Sequence, residues 1–255
     1  MLLREGRATA HQPGSRMNSL VEMTVAAHGG LARWNDRREV SAHVSVGGAL
    51  LTLKNRHPRR TDVSVAVGTR EEWASCFPLG RYGYRARFDP ARVALRDVNG
   101  ELLAELRDPR GSFRCHDLKT PWSSFQLAYF VGYALWTHLN IPFLLALPGV
   151  ATEETAPWHE QGETWRGLDI ALPPEIASHS ANQTIYVDDS GLLRRHDYDL
   201  DVVDGTPATT YVGRYTDAGG IRFPSRGRIF RRAADGSAIP DETLVSIDLS
   251  DLGLI

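Results

Sequence analysis

The stretch TPWSSFQLAYFVGYALWTHLNIPFLLALPGVAT, residues 120–152, carries no Asp, Glu, Lys or Arg. Thr120 followed by Pro121 suits an N-cap and first helical position, because proline lacks only an amide that would have no partner there. A helix is therefore expected through FQLAYFVGYALWTHL, breaking near Asn140 because Pro142 cannot continue it cleanly. A helix apolar on every side is a buried helix, although about 20 such residues would also suffice to span a bilayer. His138, Asn140, the internal Pro142 and the lack of basic residues on one flank favour burial within the protein. With the shorter apolar piece FLLALPG that follows, the buried segment is expected to occupy about residues 121–147.

On both sides of this segment the chain reads as short runs with period-two alternation. Strands are expected at 38–47, 49–55, 61–69, 71–77, 82–88 and 92–98, and again at 152–158, 163–172, 183–188, 192–203, 208–217, 221–231 and 242–250. Asn99-Gly100 carries the signal of a two-residue hairpin turn, and Glu160-Gln161-Gly162, Asp189-Ser190-Gly191 and Asp235-Gly236 have turn chemistry as well. Asn18 is a plausible N-cap for a first helix, SLVEMTVAAHGG, that Gly29 and Gly30 would end. Short connections imply antiparallel neighbours, and about a dozen such strands curl into a barrel or deep half-barrel. The fold class expected is mainly β (α+β): a large curved antiparallel sheet with an N-terminal helix and the central apolar helix plugging its concave face. Residues 1–16 read as a disordered extension and 17–255 as one domain.

Composition narrows the function. Of 255 residues 42% are hydrophobic and 24% charged, and the net charge of −2 offers no broad basic field for nucleic acid or an acidic membrane. The basic stretch from Arg222 to Arg232 reads as a solvated strand face before an anion-binding one. Two cysteines without a CxxC pair, and an N-terminus MLLREGRATAHQPGSRM lacking an apolar run, point to the cytoplasm. The chain has no GxGxxG after a strand, no GxxxxGK[ST], no HExxH and no GxSxG, and its nine histidines are scattered. Neither a metal nor a cofactor is expected.

Candidate residues come from facing. On the helix, Leu127, Phe130, Val131, Ala134, Leu135 and His138 form a stripe of plain core. Tyr129, Gly132, Tyr133, Trp136 and Asn140 form a second, aromatic stripe suited to a ligand cavity, though they would serve equally as packing. Alternation along 192–203 sets Arg194, His196 and Tyr198 at the mouth of a concavity and Arg195, Asp197, Asp199 and Asp201 on a wet opposite side. His196 is the group there that exchanges protons near neutral pH, unless it is simply a half-buried structural histidine. In the last strand Ser246, Asp248 and Ser250 oppose Val245, Ile247 and Leu249; an inward Asp248 would need Arg226 or Arg228 as partner.

An N-terminal helix, many antiparallel strands and an apolar helical insert midway resemble the half-barrel of the bacterial lipoprotein carrier LolA, a periplasmic protein, and that of VioE, a cofactor-free enzyme of violacein biosynthesis. The segments HGGLARWN at 28–35, TPWSSFQLAYFVGYALWT at 120–137, PWHEQGETWRGL at 157–168, GLLRRHDYDLDV at 191–202 and LVSIDLSD at 244–251 are similar to a bacterial family, actinobacterial and proteobacterial, of about this length. The likeness implies the fold and brings no activity with it.

The leading expectation is an intracellular enzyme without cofactor that cyclises, isomerises or dehydrates a small apolar or aromatic metabolite. His196 would be acid or base, Tyr198 or Tyr211 a hydrogen-bond donor, Arg194 or Arg228 an anchor, with Asp248 and Arg226 beside them. The alternative is a non-catalytic carrier or sensor of a hydrophobic ligand, in which His196 and Asp248 are spent on structural hydrogen bonds. A third reading uses FLLALPG as a membrane-surface anchor.

Overall fold

The computed structural model describes residues 18–55, 60–80, 82–241 and 243–255; the extension expected at 1–16 lies outside them. Asn18 caps the first helix, α1 (Ser19–Ala27), by accepting the amide of Leu20 at 2.8 Å. A short helix α2 (Leu31–Asn35) follows, and its Trp34 stacks on Phe143 with ring centroids 4.2 Å apart. The strands are β1 (Glu39–Gly47), β2 (Arg60–Gly68), β3 (Ala74–Leu79), β4 (Tyr84–Asp89), β5 (Arg92–Arg96) and β6 (Leu102–Arg107). After the central helix come β7 (Ala151–Glu160), β8 (Glu163–Ala171), β9 (Asn182–Val187), β10 (Leu193–Leu200), β11 (Thr206–Ala218), β12 (Ile221–Arg232), β13 (Ala238–Ile239) and β14 (Val245–Leu254).

All fourteen strands belong to one antiparallel sheet, ordered β6-β5-β4-β3-β2-β1-β14-β12-β11-β10-β9-β8-β7, with β13 paired to β12. Two meanders thus meet at β14, which pairs with β1 through Val44↔Leu249 and with β12 through Gly227↔Ile247. The sheet is open and curved, and its two edges are β6 and β7. Those edge strands are consecutive in the chain, so the segment joining them crosses the concave face.

That segment holds the central helix, α3 being a shorter one met earlier (Ala49–Asn55) and α4 the plug (Ser124–Asn140). α4 starts three residues beyond Pro121. Asp117 already holds the turn at 117–120 by accepting the amides of Lys119 and Thr120 and the Thr120 hydroxyl, while Ser123 and Gln126 form a reciprocal capping box. The helix ends at Asn140 ahead of Pro142. FLLALPG becomes one 3-10 turn (Phe143–Ala146) whose Phe143, Leu144 and Leu145 are buried, so this piece is not a free membrane anchor. No described helix is long and apolar enough to cross a membrane.

Two local expectations are corrected. Residues 49–55 form α3 rather than a strand: Gly48, at φ +115°, breaks β1, and ALLTLKN buries Leu50 while leaving Leu53 outside. At Asn99-Gly100 only the glycine has positive φ (+92°), and Asp97 accepts the amides of Asn99 and Glu101, giving a longer loop than a two-residue turn.

α4 is fastened to the β2–β5 half of the sheet. Trp136 Nε1 and Asn140 Nδ2 both donate to the carbonyl of Gly68 at the end of β2, at 2.9 and 3.2 Å. Gly132 sits on Phe88 of β4, where an added Cβ would lie 2.5 Å from Cγ. Gly132→Ala adds about 1 kcal/mol of helix propensity but drives a methyl into a packed ring, a cost of about 1–3 kcal/mol or more. The clash dominates: a lowered urea midpoint at unchanged slope is expected, and an unchanged or raised midpoint would show that α4 does not rest on β4 at this point.

Candidate functional site

The fastening of α4 to one half of the sheet leaves space along the other. Phe130, Ala134, Thr137 and His138 of α4, with Ile141, face Leu193, His196, Tyr198 and Leu200 of β10, Thr210 and Val212 of β11, Ile229 of β12, and Val245 and Ile247 of β14. His179, from the loop before β9, completes the wall. The cavity, partly open to solvent, measures about 50 Å³. Its wall is mostly carbon, as small-molecule pockets are, with a few placed polar groups.

Of the residues picked from sequence, only His196 and Tyr198 line this cavity, and the helix stripes are exchanged. Phe130, Ala134 and His138, assigned to plain core, form the cavity roof. Trp136 and Asn140 are spent on Gly68, while Tyr129 packs edge-on against Phe88 and Tyr133, 5.4 and 5.3 Å between centroids. Tyr133 is fully buried, and its hydroxyl has no partner among the described residues.

Arg194 does not accompany His196, because the pairing of β10 with β9 slips between Leu193 and Arg195. Such a bulge adds one residue to the strand and shifts the alternation. Leu193 and His196 both line the cavity, whereas Arg194 reaches Glu163 at 3.3 Å and Asp188 at 3.8 Å. Half of the side expected to be wet is not: Arg195 is wholly buried and Asp197 only 6% exposed, whereas Asp199 and Asp201 keep their carboxylates in solvent. Arg195 grips Asp197 with two hydrogen bonds (2.7 and 2.8 Å), lies 4.1 Å from the Trp158 ring centroid, and donates to the Gly236 carbonyl. A buried guanidinium is tolerable when so completely paired. Tyr211 belongs to this outer cluster, donating to Glu160 at 2.8 Å, and has no part in the cavity.

Asp248 faces away from the cavity that its neighbour Ile247 lines, and is held by Arg226 at 3.0 Å and Arg228 at 2.9 Å. The pairing with these arginines is as the strand pattern allowed; the inward orientation is not.

Within the cavity every titratable group is neutral near pH 7. Burial pushes His196 down to about 3, assisted by nearby His138. Burial also lowers His138, against the pull of its bond to the Pro224 carbonyl (2.8 Å), and holds His179 well below the ordinary imidazole value. Gln183 donates to the Ser180 carbonyl at 2.7 Å, which turns its own oxygen toward His196, whose Nε2 donates to it at 2.6 Å. Tyr198 shares a hydrogen bond of 2.8 Å with Thr210, and burial raises its hydroxyl far above the ordinary range. His179 stacks on Tyr198 at 4.1 Å. Among the described residues two of the wall keep a buried polar atom without a partner, Thr137 at Oγ1 and His179 at Nδ1. Among the described residues no three His, Cys, Asp or Glu side chains converge on a point a metal ion would occupy.

Known structures share this fold at low sequence identity. A DUF1329 family protein from Desulfovibrio piger is 10% identical over 92% of each chain, with a TM-score of 0.53. A LolA superfamily protein from Nitrosomonas europaea is 10% identical over 92% of each chain, with a TM-score of 0.52. A putative outer membrane lipoprotein-sorting protein domain from Vibrio parahaemolyticus is 11% identical over 92% of this chain and 90% of its own, at 0.44. No family model and no curated protein matches the sequence.

The architecture is thus LolA-like, and two expectations are corrected. The cytoplasmic location inferred from cysteine usage and a polar N-terminus gives way, because the fold is shared with a protein described as of the LolA superfamily. The cofactor-free enzyme gives way as well. His196 and Asp248, the groups it would use, are engaged in hydrogen bonds with Gln183 and with Arg226 and Arg228.

The neutral imidazoles set an acid limit on stability. An unfolded histidine takes up a proton near pH 6.5, whereas His196 does so near 3 and His28, lowered chiefly by burial, near 4. Between those values the unfolded chain binds more protons, so stability falls as pH falls. Glu72, pushed up to about 8 by burial, acts oppositely between its unfolded value and pH 8, one carboxyl against several imidazoles. Replacing His196 with Gln is expected to reduce the acid slope of the unfolding free energy by up to about 1.4 kcal/mol per pH unit between about pH 6 and 4. Equal slopes in urea titrations of both proteins would show that this imidazole is not held neutral.

Proposed function

We propose that the protein is a non-catalytic carrier or sensor of a hydrophobic ligand, taken up between α4 and the part of the sheet formed by β10, β11, β12 and β14. The observation that carries this reading is the carbon-rich cavity under α4, whose histidines are neutral and whose Tyr198 is tied to Thr210. Thr137 and His179 offer the unpartnered polar atoms to one polar group of an otherwise apolar guest. A location outside the cytoplasm goes with this reading, in keeping with the LolA-like architecture.

Volume sets a condition. A cavity of about 50 Å³ admits one or two waters, against about 150 Å³ in a cavity that binds benzene. Uptake of an acyl chain or a polycycle therefore requires α4 to shift from β10 and β12 while its contacts with β2 and β4 hold.

Binding is testable with the apolar fluorophore N-phenylnaphthylamine. Ala134→Leu puts a larger side chain into the cavity roof and is expected to weaken fluorophore binding at least tenfold, with thermal stability unchanged or raised. Wild-type binding of the dye at a site indifferent to Ala134→Leu, or no binding at all, would contradict the reading.

A further inference from the structure

The arginines of the 222–232 stretch that face outward are not absorbed by a ligand cavity on the other side of the sheet. Arg214, Arg226 and Arg228 share a cleft of about 270 Å³ with Ser225 and Asp248. Three arginines and one carboxylate line it, in a chain whose net charge is −2.

The backbone places them together deliberately. Arg214 of β11 stands directly opposite Arg226 of β12. Like charges in that relation destabilise a sheet. The register of β11 slips on both sides of Arg214, between Val212 and Arg214 and again before Tyr215. Bulges of this kind re-aim a side chain. Next to it, Gly213 leaves room for the stem of Arg226: an added Cβ would lie 3.2 Å from its Cδ.

Hydrogen-bond supply points the same way. Arg228 spends Nη1 on the carbonyls of Gly227 and Ile247 and Nη2 on Asp248. Arg226 gives only Nε to Asp248, and among the described residues its two terminal nitrogens have no further partner. Arg214 has no ion-pair partner among the described residues. Two guanidinium forks side by side match the several oxygens of a tetrahedral oxyanion.

We propose that this cleft binds a phosphate group, free or as the headgroup of an anionic lipid, through Arg214 and Arg226, with Asp248 and Arg228 holding Arg226 in place. The site lies on the outer face of the sheet and does not depend on the carrier reading.

The test titrates inorganic phosphate into the full chain by calorimetry at constant ionic strength. In parallel, flotation compares vesicles of phosphatidylglycerol with vesicles of phosphatidylcholine. The informative variant is Arg214→Gln, which breaks no ion pair and is expected to keep the wild-type melting temperature and the wild-type binding of N-phenylnaphthylamine. Saturable phosphate binding that Arg214→Gln weakens at least tenfold supports the site and assigns it to a soluble phosphate when no vesicle is captured. Capture by phosphatidylglycerol vesicles alone, displaced by inorganic phosphate and lost in Arg214→Gln, supports the site and assigns it to a lipid headgroup. Absence of binding in both arms, or binding that Arg214→Gln leaves unchanged, overturns the proposal.

Discussion

The two free edges of this sheet, β6 and β7, are joined by the chain that runs from Asp108 to Val150, and the connection has to cross the concave face. Chain placed there loses its water, and an unpaired charge in such a setting is prohibitively costly. A helix satisfies its own backbone hydrogen bonds, and side chains without charge meet the rest of the requirement. The charge-free composition of 120–152 is therefore a consequence of topology, and both the packing and the cavity follow from it.

Because α4 is tied by Trp136 and Asn140 to Gly68 and seated by Gly132 on Phe88, its position over β2–β5 is set by specific contacts. Over β10, β12 and β14 it meets the sheet through smaller or less demanding groups, Ala134 and Thr137 among them, and the packing is incomplete there. A protein interior packs to the density of an organic crystal, so such a gap has a cause in the arrangement of side chains. The asymmetry gives the molecule one firm and one loose side of the same helix. The outer surface is organised differently, by the Arg195–Asp197 cluster beneath Trp158 and by the arginines around Asp248.

The plug and the meandering strands were legible because each is a pattern over many residues. Single facings were not. One bulge at Leu193–Arg195 separates Arg194 from His196, although strict alternation joins them. The aromatic stripe of α4 looked like a ligand surface, yet aromatic rings also fill the close-packed side of a helix, and Tyr129 and Trp136 do that. A burial pattern alone does not tell which side of a helix is packed tightly. Arg195 was misplaced for a related reason: a charged residue on an alternating strand reads as solvated unless its partners are known, and Glu160 and Gly236 come from distant parts of the chain. At 49–55, seven apolar-rich residues are too few for periodicity to separate helix from strand. Function was the least legible, since His196 is equally a titrating group or a neutral one until its burial and its bond to Gln183 are known.

The central claim is that α4 yields on one side only when an apolar guest enters. Amide hydrogen exchange, followed with and without saturating palmitate, measures this directly. The account predicts altered exchange in α4 and in the strands β10, β12 and β14 facing it, with β3 and β4 unchanged. Exchange unaltered along α4 while palmitate is bound would contradict it.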